Sequence, residues 1–218
     1  MKTMFDNNTI DSILSLINKE VVPAVGCTEP MAVALCTAKA TEILGRRPEK
    51  ITVMLSANML KNAMGVGIPG TGMVGLPIAI ALGAIVGKSE YQLEVIRDLT
   101  PSTLAMGKEY IAEDKIDIRL KDGNVDKLYI EVICEGCGHS ATAIITTSHT
   151  NFVYEEKDGN VAYDKRTATG EVAEDGDIAL NMRMVYDFAM TTPVEKLAFI
   201  LKTKEYNMKA AAESIKGN

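Results

Sequence analysis

Apolar positions recur first at the spacing of a helix, then at that of a strand, then of a helix again. Ile10, Ile13, Leu14, Ile17 and Val21 fall roughly three or four residues apart and predict a helix over about 8–22. Asn8 or Thr9 would cap it, and Pro23 would end it. From Thr28 to Leu44 the run Met31-Ala32-Val33-Ala34-Leu35 leaves hardly a polar side, so this helix is expected to be buried on most of its circumference. Residues 50–57, KITVMLSA, alternate and are β-branched, as a strand is. Asn58–Met64 fits one or two helical turns, a glycine-rich loop takes 65–75, and LPIAIALGAIVG reads as a core helix. Further helices are predicted over about 89–98 and 101–113, with Pro101 in the first turn behind Thr100.

From Ile116 the period drops to two. IDIRL, DKLYIEVICEG, HSATAIITTSHTN, FVYEE and NVAYDK read as strands joined by turns such as KDGN and EKDGN. Helical patterns over about 177–190, 193–204 and 205–216 close the chain. Helices first, strands in the middle and helices last predict an α+β fold: an antiparallel sheet with packed helices, and a buried apolar helix near 76–87. No repeat or low-complexity linker interrupts the chain, so 1–218 reads as a single domain.

Composition narrows the function classes. With 218 residues and 47% hydrophobic content, the chain can bury a core without disulfides or metals. The net charge of −6, with no basic face, makes nucleic acid an unsuitable partner; so do the lack of Trp and an aromatic content of 5%. The uncharged run between Lys61 and Lys88 is broken by Gly and Pro in its first half, and its continuous helical part is too short to span a bilayer, so no membrane partner is expected. MKTMFDNNTI lacks the apolar core of a secretory signal. Cys27, Cys36, Cys134 and Cys137 do not form a disulfide framework for a chain of this size, which suits a cytoplasmic protein with reduced thiols.

Candidate chemistry gathers at a few motifs. In Gly26-Cys27-Thr28-Glu29-Pro30, Thr28 fits a helix N-cap with Glu29 and Pro30 in the first turn. Cys27 then precedes a helix N-terminus, whose partial positive charge favours a thiolate as ligand or nucleophile; a buried structural cysteine is the equal alternative. Asn58, Lys61 and Asn62 share one helix face that suits a carboxylate, or is simply solvated. The loop GVGIPGTGMVG, with Gly70 and Thr71, lacks the ending of a P-loop but suits a small carboxylate cradle. His149, in TSHTN, is the default proton-transfer candidate, and His139 carries less weight. Cys134 and Cys137 form a lone CxxC, read as a strand-end turn rather than half a zinc site, and Cys36 reads as core.

In their order along the chain, GCTEPMAVAL, SANMLKNAMGVGIPGTGMVGLPIAIALGA and SHTNFV resemble the L-cysteine desulfidase family, related to the iron–sulfur L-serine dehydratases. The resemblance covers most of the chain, whereas family members run to roughly twice its length. It implies the N-terminal domain of a longer lyase, with the C-terminal half as a partner absent from this chain. It also implies a [4Fe–4S] cluster held by three cysteines, and α,β-elimination of L-cysteine or L-serine without pyridoxal phosphate. On that resemblance Cys27 is the metal ligand contributed here. Asn58, Asn62, Gly70, Thr71, Thr28 and Glu29 become candidates for the amino-acid substrate, and His149 or Lys61 for the proton acceptor. The family pattern favours glycine where Ser148 stands, and neither Cys134 nor Cys137 matches a family ligand. A chain with one ligand is not expected to hold a stable cluster or to turn over alone, and a homo-oligomer is compatible with it. The alternative is a non-catalytic domain that binds an amino acid or another carboxylate; a zinc or redox role for the CxxC is a third.

Overall fold

A computed structural model describes residues 4–166 and 178–216. Contacts divide the chain into two compact units, residues 24–173 and residues 1–23 with 174–218.

The larger unit is built on one sheet. Strands β1 (Lys50–Leu55), β4 (Ile116–Leu120), β5 (Tyr129–Gly136), β6 (His139–Thr146), β7 (Phe152–Lys157) and β8 (Asn160–Asp164) lie in the order β4-β1-β5-β6-β7-β8. Only β1 and β4 pair in parallel, so the sheet is mostly antiparallel and the fold is α+β as the pattern predicts. The alternation in YIEVICEG puts Ile130, Val132 and Cys134 into the core.

Helix α2 (Thr28–Leu44) crosses that core face: the Cys36 thiol lies 3.3 Å from the Ala143 carbonyl, and Thr41 Oγ1 lies 3.7 Å from Cys134 Sγ. Helix α4 (Leu76–Ile85) packs beside it at very short range. A Cβ on Gly83 would stand 2.5 Å from the Ala34 carbonyl oxygen, and one on Gly87 would stand 2.8 Å from the Ala38 Cβ. Only glycine permits this approach. Both pairs step by four residues in the same direction, so α2 and α4 run parallel with their N-termini at one level.

The remaining elements of this unit are α3 (Ala57–Ala63), a short hairpin of β2 (Gly67–Ile68) and β3 (Met73–Val74), a 3-10 segment at Ser89–Glu94, and α5 (Pro101–Ala112). The expected helix over 89–98 is thus only a 3-10 segment, broken at Gln92, whose φ is 51°. Among the described residues no helix is long and apolar enough to cross a membrane.

The smaller unit holds α1 (Asn7–Glu20), α6 (Met182–Thr191), a 3-10 segment at Val194–Ile200 and α7 (Leu201–Ile215). Residue 177, where the first closing helix was predicted to begin, lies outside the described residues. Asp6 rather than Asn8 or Thr9 caps α1, its carboxylate accepting the Thr9 N–H at 2.7 Å. The core here is small: Ile10, Ile13 and Phe188, with Phe5, Leu14, Ile17, Ile178 and Leu197 partly buried around them.

Candidate functional site

Four helices begin at one end of the sheet. At that end Leu55 pairs with Ile130, Tyr129 with Thr146, and the Thr147 N–H reaches the Leu128 carbonyl. Helix α3 springs from it directly, capped by Ser56, whose N–H donates to Tyr129 and whose hydroxyl donates to Lys127. The C-terminus of α2 lies at the opposite end, where the Lys157 ammonium donates to the Leu44 carbonyl. Cys27 therefore stands at the Tyr129–Thr146 end, and the N-terminus of α4 is level with it. Tyr110, late in α5, donates to the Pro48 carbonyl ahead of β1, so α5 too begins at the Cys27 end. Each of these helix N-termini carries a partial positive charge that favours a nearby carboxylate.

Direct contacts tie the segments together. Gly26 has φ +78°, and a Cβ there would fall 2.7 Å from Pro69 in the glycine-rich loop. Gly70 approaches Leu99, just ahead of α5. The Val25 N–H donates to Leu93 at 3.1 Å. Between these segments lies an open groove of about 470 Å³, lined by Val25, Pro69, Gly70, Ile96, Leu99 and Leu104, with Arg97 as its charged member. Nothing in its local sequence marked Arg97. Its guanidinium lies 3.3 Å above the Tyr91 ring, and the neighbouring Tyr91 side chain raises its proton affinity.

Cys27, not Thr28, occupies the N-cap position of α2. Its backbone is extended (φ −69°, ψ 140°), and its side chain makes no capping bond. A cysteine carries no capping signature, so the sequence pattern assigned the role to the hydroxyl next to it. Thr28 is instead the first helical residue, and its hydroxyl lies 3.3 Å from Glu29 Oε2. Cys27 is exposed, as are Asn58, Lys61 and Asn62 on α3. The exposed backbone of Gly70 sits in the groove lining. Thr71 differs: it is buried, and its hydroxyl donates to the Ile68 carbonyl at 2.7 Å while accepting the Met73 N–H at 2.9 Å. That hydroxyl shapes the hairpin. His149 is half-buried in the turn after β6, at the same end of the sheet.

The other thiols have different surroundings. Burial pushes the Cys36 thiol well above its ordinary value, and the Cys134 thiol is pushed up to about 12, also by burial. Cys137 is exposed in the turn at the opposite end of the sheet, its thiol 3.4 Å from Glu49 Oε1. The CxxC is thus split between core and surface. Also at that end His139 Nδ1 meets Asp158 Oδ2 at 2.8 Å, a better-oriented imidazole than the sequence suggested. Among the described residues no group of three His, Cys, Asp or Glu side chains gathers as a metal site. The donor set fits one ligand to a cluster and does not fit a whole cluster.

No family model and no solved structure matches the chain. A UPF0597 protein of Phocaeicola vulgatus is 59% identical over 208 residues, covering 95% of this chain and 48% of its own length. A UPF0597 protein of Bacteroides thetaiotaomicron is 59% identical over 206 residues, covering 94% of this chain and 48% of its own. One of Porphyromonas gingivalis is 47% identical over 219 residues, covering 98% of this chain and 51% of its own. The chain spans about half the length of these curated relatives.

Proposed function

We propose that this chain supplies the amino-acid-holding half of a lyase that eliminates hydrogen sulfide from L-cysteine, or water from L-serine, without pyridoxal phosphate. The observation that carries the proposal is the bare, exposed thiol of Cys27 at the head of α2. It stands where the glycine-rich loop and the N-termini of neighbouring helices meet. In support, the relatives are about twice as long, leaving room for further ligands outside this chain. A [4Fe–4S] cluster, when bound, supplies a Lewis-acid iron for the leaving group. Cys27 would donate one thiolate to it. The helix N-termini and the backbone of Gly70 would receive the substrate carboxylate, with Asn58, Asn62 and the first turn of α2 at Thr28 and Glu29 around the amino group. His149 or Lys61 would take the α-proton as the bond from Cβ to sulfur or oxygen breaks. The resulting aminoacrylate would hydrolyse to pyruvate and ammonia. Reduced thiols suit a cytoplasmic setting for such chemistry.

The same positive helix ends favour a second reading, a domain that binds an amino acid or carboxylate without transforming it. One experiment separates the two. This chain would be joined to the remaining half carried by its longer relatives and reconstituted anaerobically with iron and sulfide. Pyruvate would then be assayed from L-cysteine and from L-serine. Pyruvate that disappears with Cys27→Ala supports the lyase. Ligand binding that survives Cys27→Ala, with no pyruvate from either substrate, supports the binding domain.

A further inference from the structure

Helix α6 turns the wrong stripe outward for a helix that ends its packing inside this chain. Its inward stripe carries Phe188 together with a buried carboxylate, Asp187, which is held by Arg183 Nε at 2.7 Å. Its outward stripe, at steps of three and four, is Met182, Val185, Tyr186 and Met190, and all four are exposed; Met182 is 83% exposed. Burying a carboxylate while leaving apolar side chains in water is a poor arrangement unless something else covers the outer stripe.

Helix α7 repeats the pattern independently. Leu201, Met208 and Ile215 recur every seven residues along one side, and no residue of the helix is buried; Ile215 is 85% exposed. A helix of this length gains most of its stability from packing an apolar stripe, and among the described residues this stripe is left largely uncovered. Among the described residues, the smaller unit's core has three buried apolar side chains, which is thin for its size.

We infer that the outer stripes of α6 and α7 are the seat of the remaining half of the polypeptide carried by the longer relatives. The choice of occupant follows from length: relatives at 59% identity match this chain over only 48% of their own residues. The inference rests on the chain being part of a longer protein, as in the function proposed above, but not on that protein being a lyase.

The test co-expresses the tagged chain with the part of the Phocaeicola vulgatus protein that it does not match. Stoichiometric co-purification is expected, with amide exchange in α6 and α7 slowed about tenfold or more relative to the chain alone. The pair Val185→Glu and Met190→Glu should weaken the complex about tenfold or more, as should Met208→Glu with Ile215→Glu on α7. The second pair answers for the first should that variant misfold. Cys137→Ala, an exposed thiol to which no role is assigned, should leave the complex unchanged. Failure to co-purify, or a complex indifferent to both pairs, overturns the inference. So does self-association of the chain through these positions that the added half does not displace, since the occupant is then a second copy. A complex that forms as expected but yields no pyruvate counts against the lyase alone.

Discussion

Helices α2 and α6 divide their residues between core and solvent in opposite ways. Of the seventeen residues of α2, eleven are buried, and its apolar side chains meet the sheet on some sides and α4 on another. Of the ten in α6, only Asp187 and Phe188 are buried, although its apolar and polar residues separate more sharply into stripes. A helix apolar all round declares that it is inside; a striped helix declares only that one side will be covered, not by what. Residues 24–166 carry their own cover, whereas residues 178–216 display a surface shaped for cover from elsewhere. The sharpest way to break this contrast is to place a valine in each. Gly83→Val in α4 must displace the Ala34 backbone and is expected to cost about 3 kcal/mol or more. Ala189→Val, on the exposed part of α6, should change stability by less than about 0.5 kcal/mol. Denaturant midpoints of the two variants read the difference, and similar losses would mean that α6 is packed after all.

Alkaline pH sharpens the same contrast, because the two strongly buried thiols belong to the larger unit. A thiol whose folded value is raised holds its proton more tightly in the folded state. Its stabilising contribution is whole below the ordinary thiol value and is lost as pH rises towards the folded value. For Cys134 that window runs from the ordinary value up to about 12, and Cys36 adds a loss in the same direction. Each thiol should remove about 1.4 kcal/mol for every pH unit above its ordinary value. Urea unfolding near neutral pH and again at about pH 10 should show the larger unit weakening. Cys134→Val should recover part of the loss. No change between the two conditions would place these thiols nearer to solvent than the core packing has them.

The sequence pattern located most of this core and little of its assembly. The bounds of α2 and the alternation of β5 and β6 follow from local spacing, because burial on all sides or on alternate sides leaves a direct trace. That β1 pairs with β4 in parallel and with β5 in antiparallel is set by partners far along the chain, and no local period encodes it. The closeness of α2 and α4 was equally hidden. Gly83 and Gly87 look like helix weakeners until Ala34 and Ala38 are seen against them. At the candidate site the motifs stood out by residue type, yet their meeting did not. It depends on Gly26 lying against Pro69 and on the three longer helices of the larger unit, α2, α4 and α5, starting at one end. Arg97 was missed because a single arginine in a mixed stretch has no signature, and Thr71 was assigned to a ligand because its bonds within the hairpin are tertiary facts.

The smallest effects bear most directly on the site, at two helix starts that differ in one respect. In α5 the Thr100 hydroxyl accepts the Thr103 N–H, and the Thr103 hydroxyl accepts the Thr100 N–H at 2.9 Å, a closed capping box. Thr100→Ala should therefore cost about 1 kcal/mol, measurable as a lowered thermal midpoint. In α2 the cap position has the right extended backbone but a side chain that bonds to nothing in the helix. Cys27→Ser supplies the missing acceptor and is expected to stabilise the chain by about 0.5–1 kcal/mol. In the joined, reconstituted protein the same change should abolish pyruvate formation, since a serine hydroxyl is a poor substitute for a thiolate on iron. A variant that is more stable yet inactive would mean that the thiol is kept at the expense of a better helix, which only chemistry explains. Turnover that survives Cys27→Ser would remove the thiol from the mechanism and leave the positive helix ends as a carboxylate-binding site.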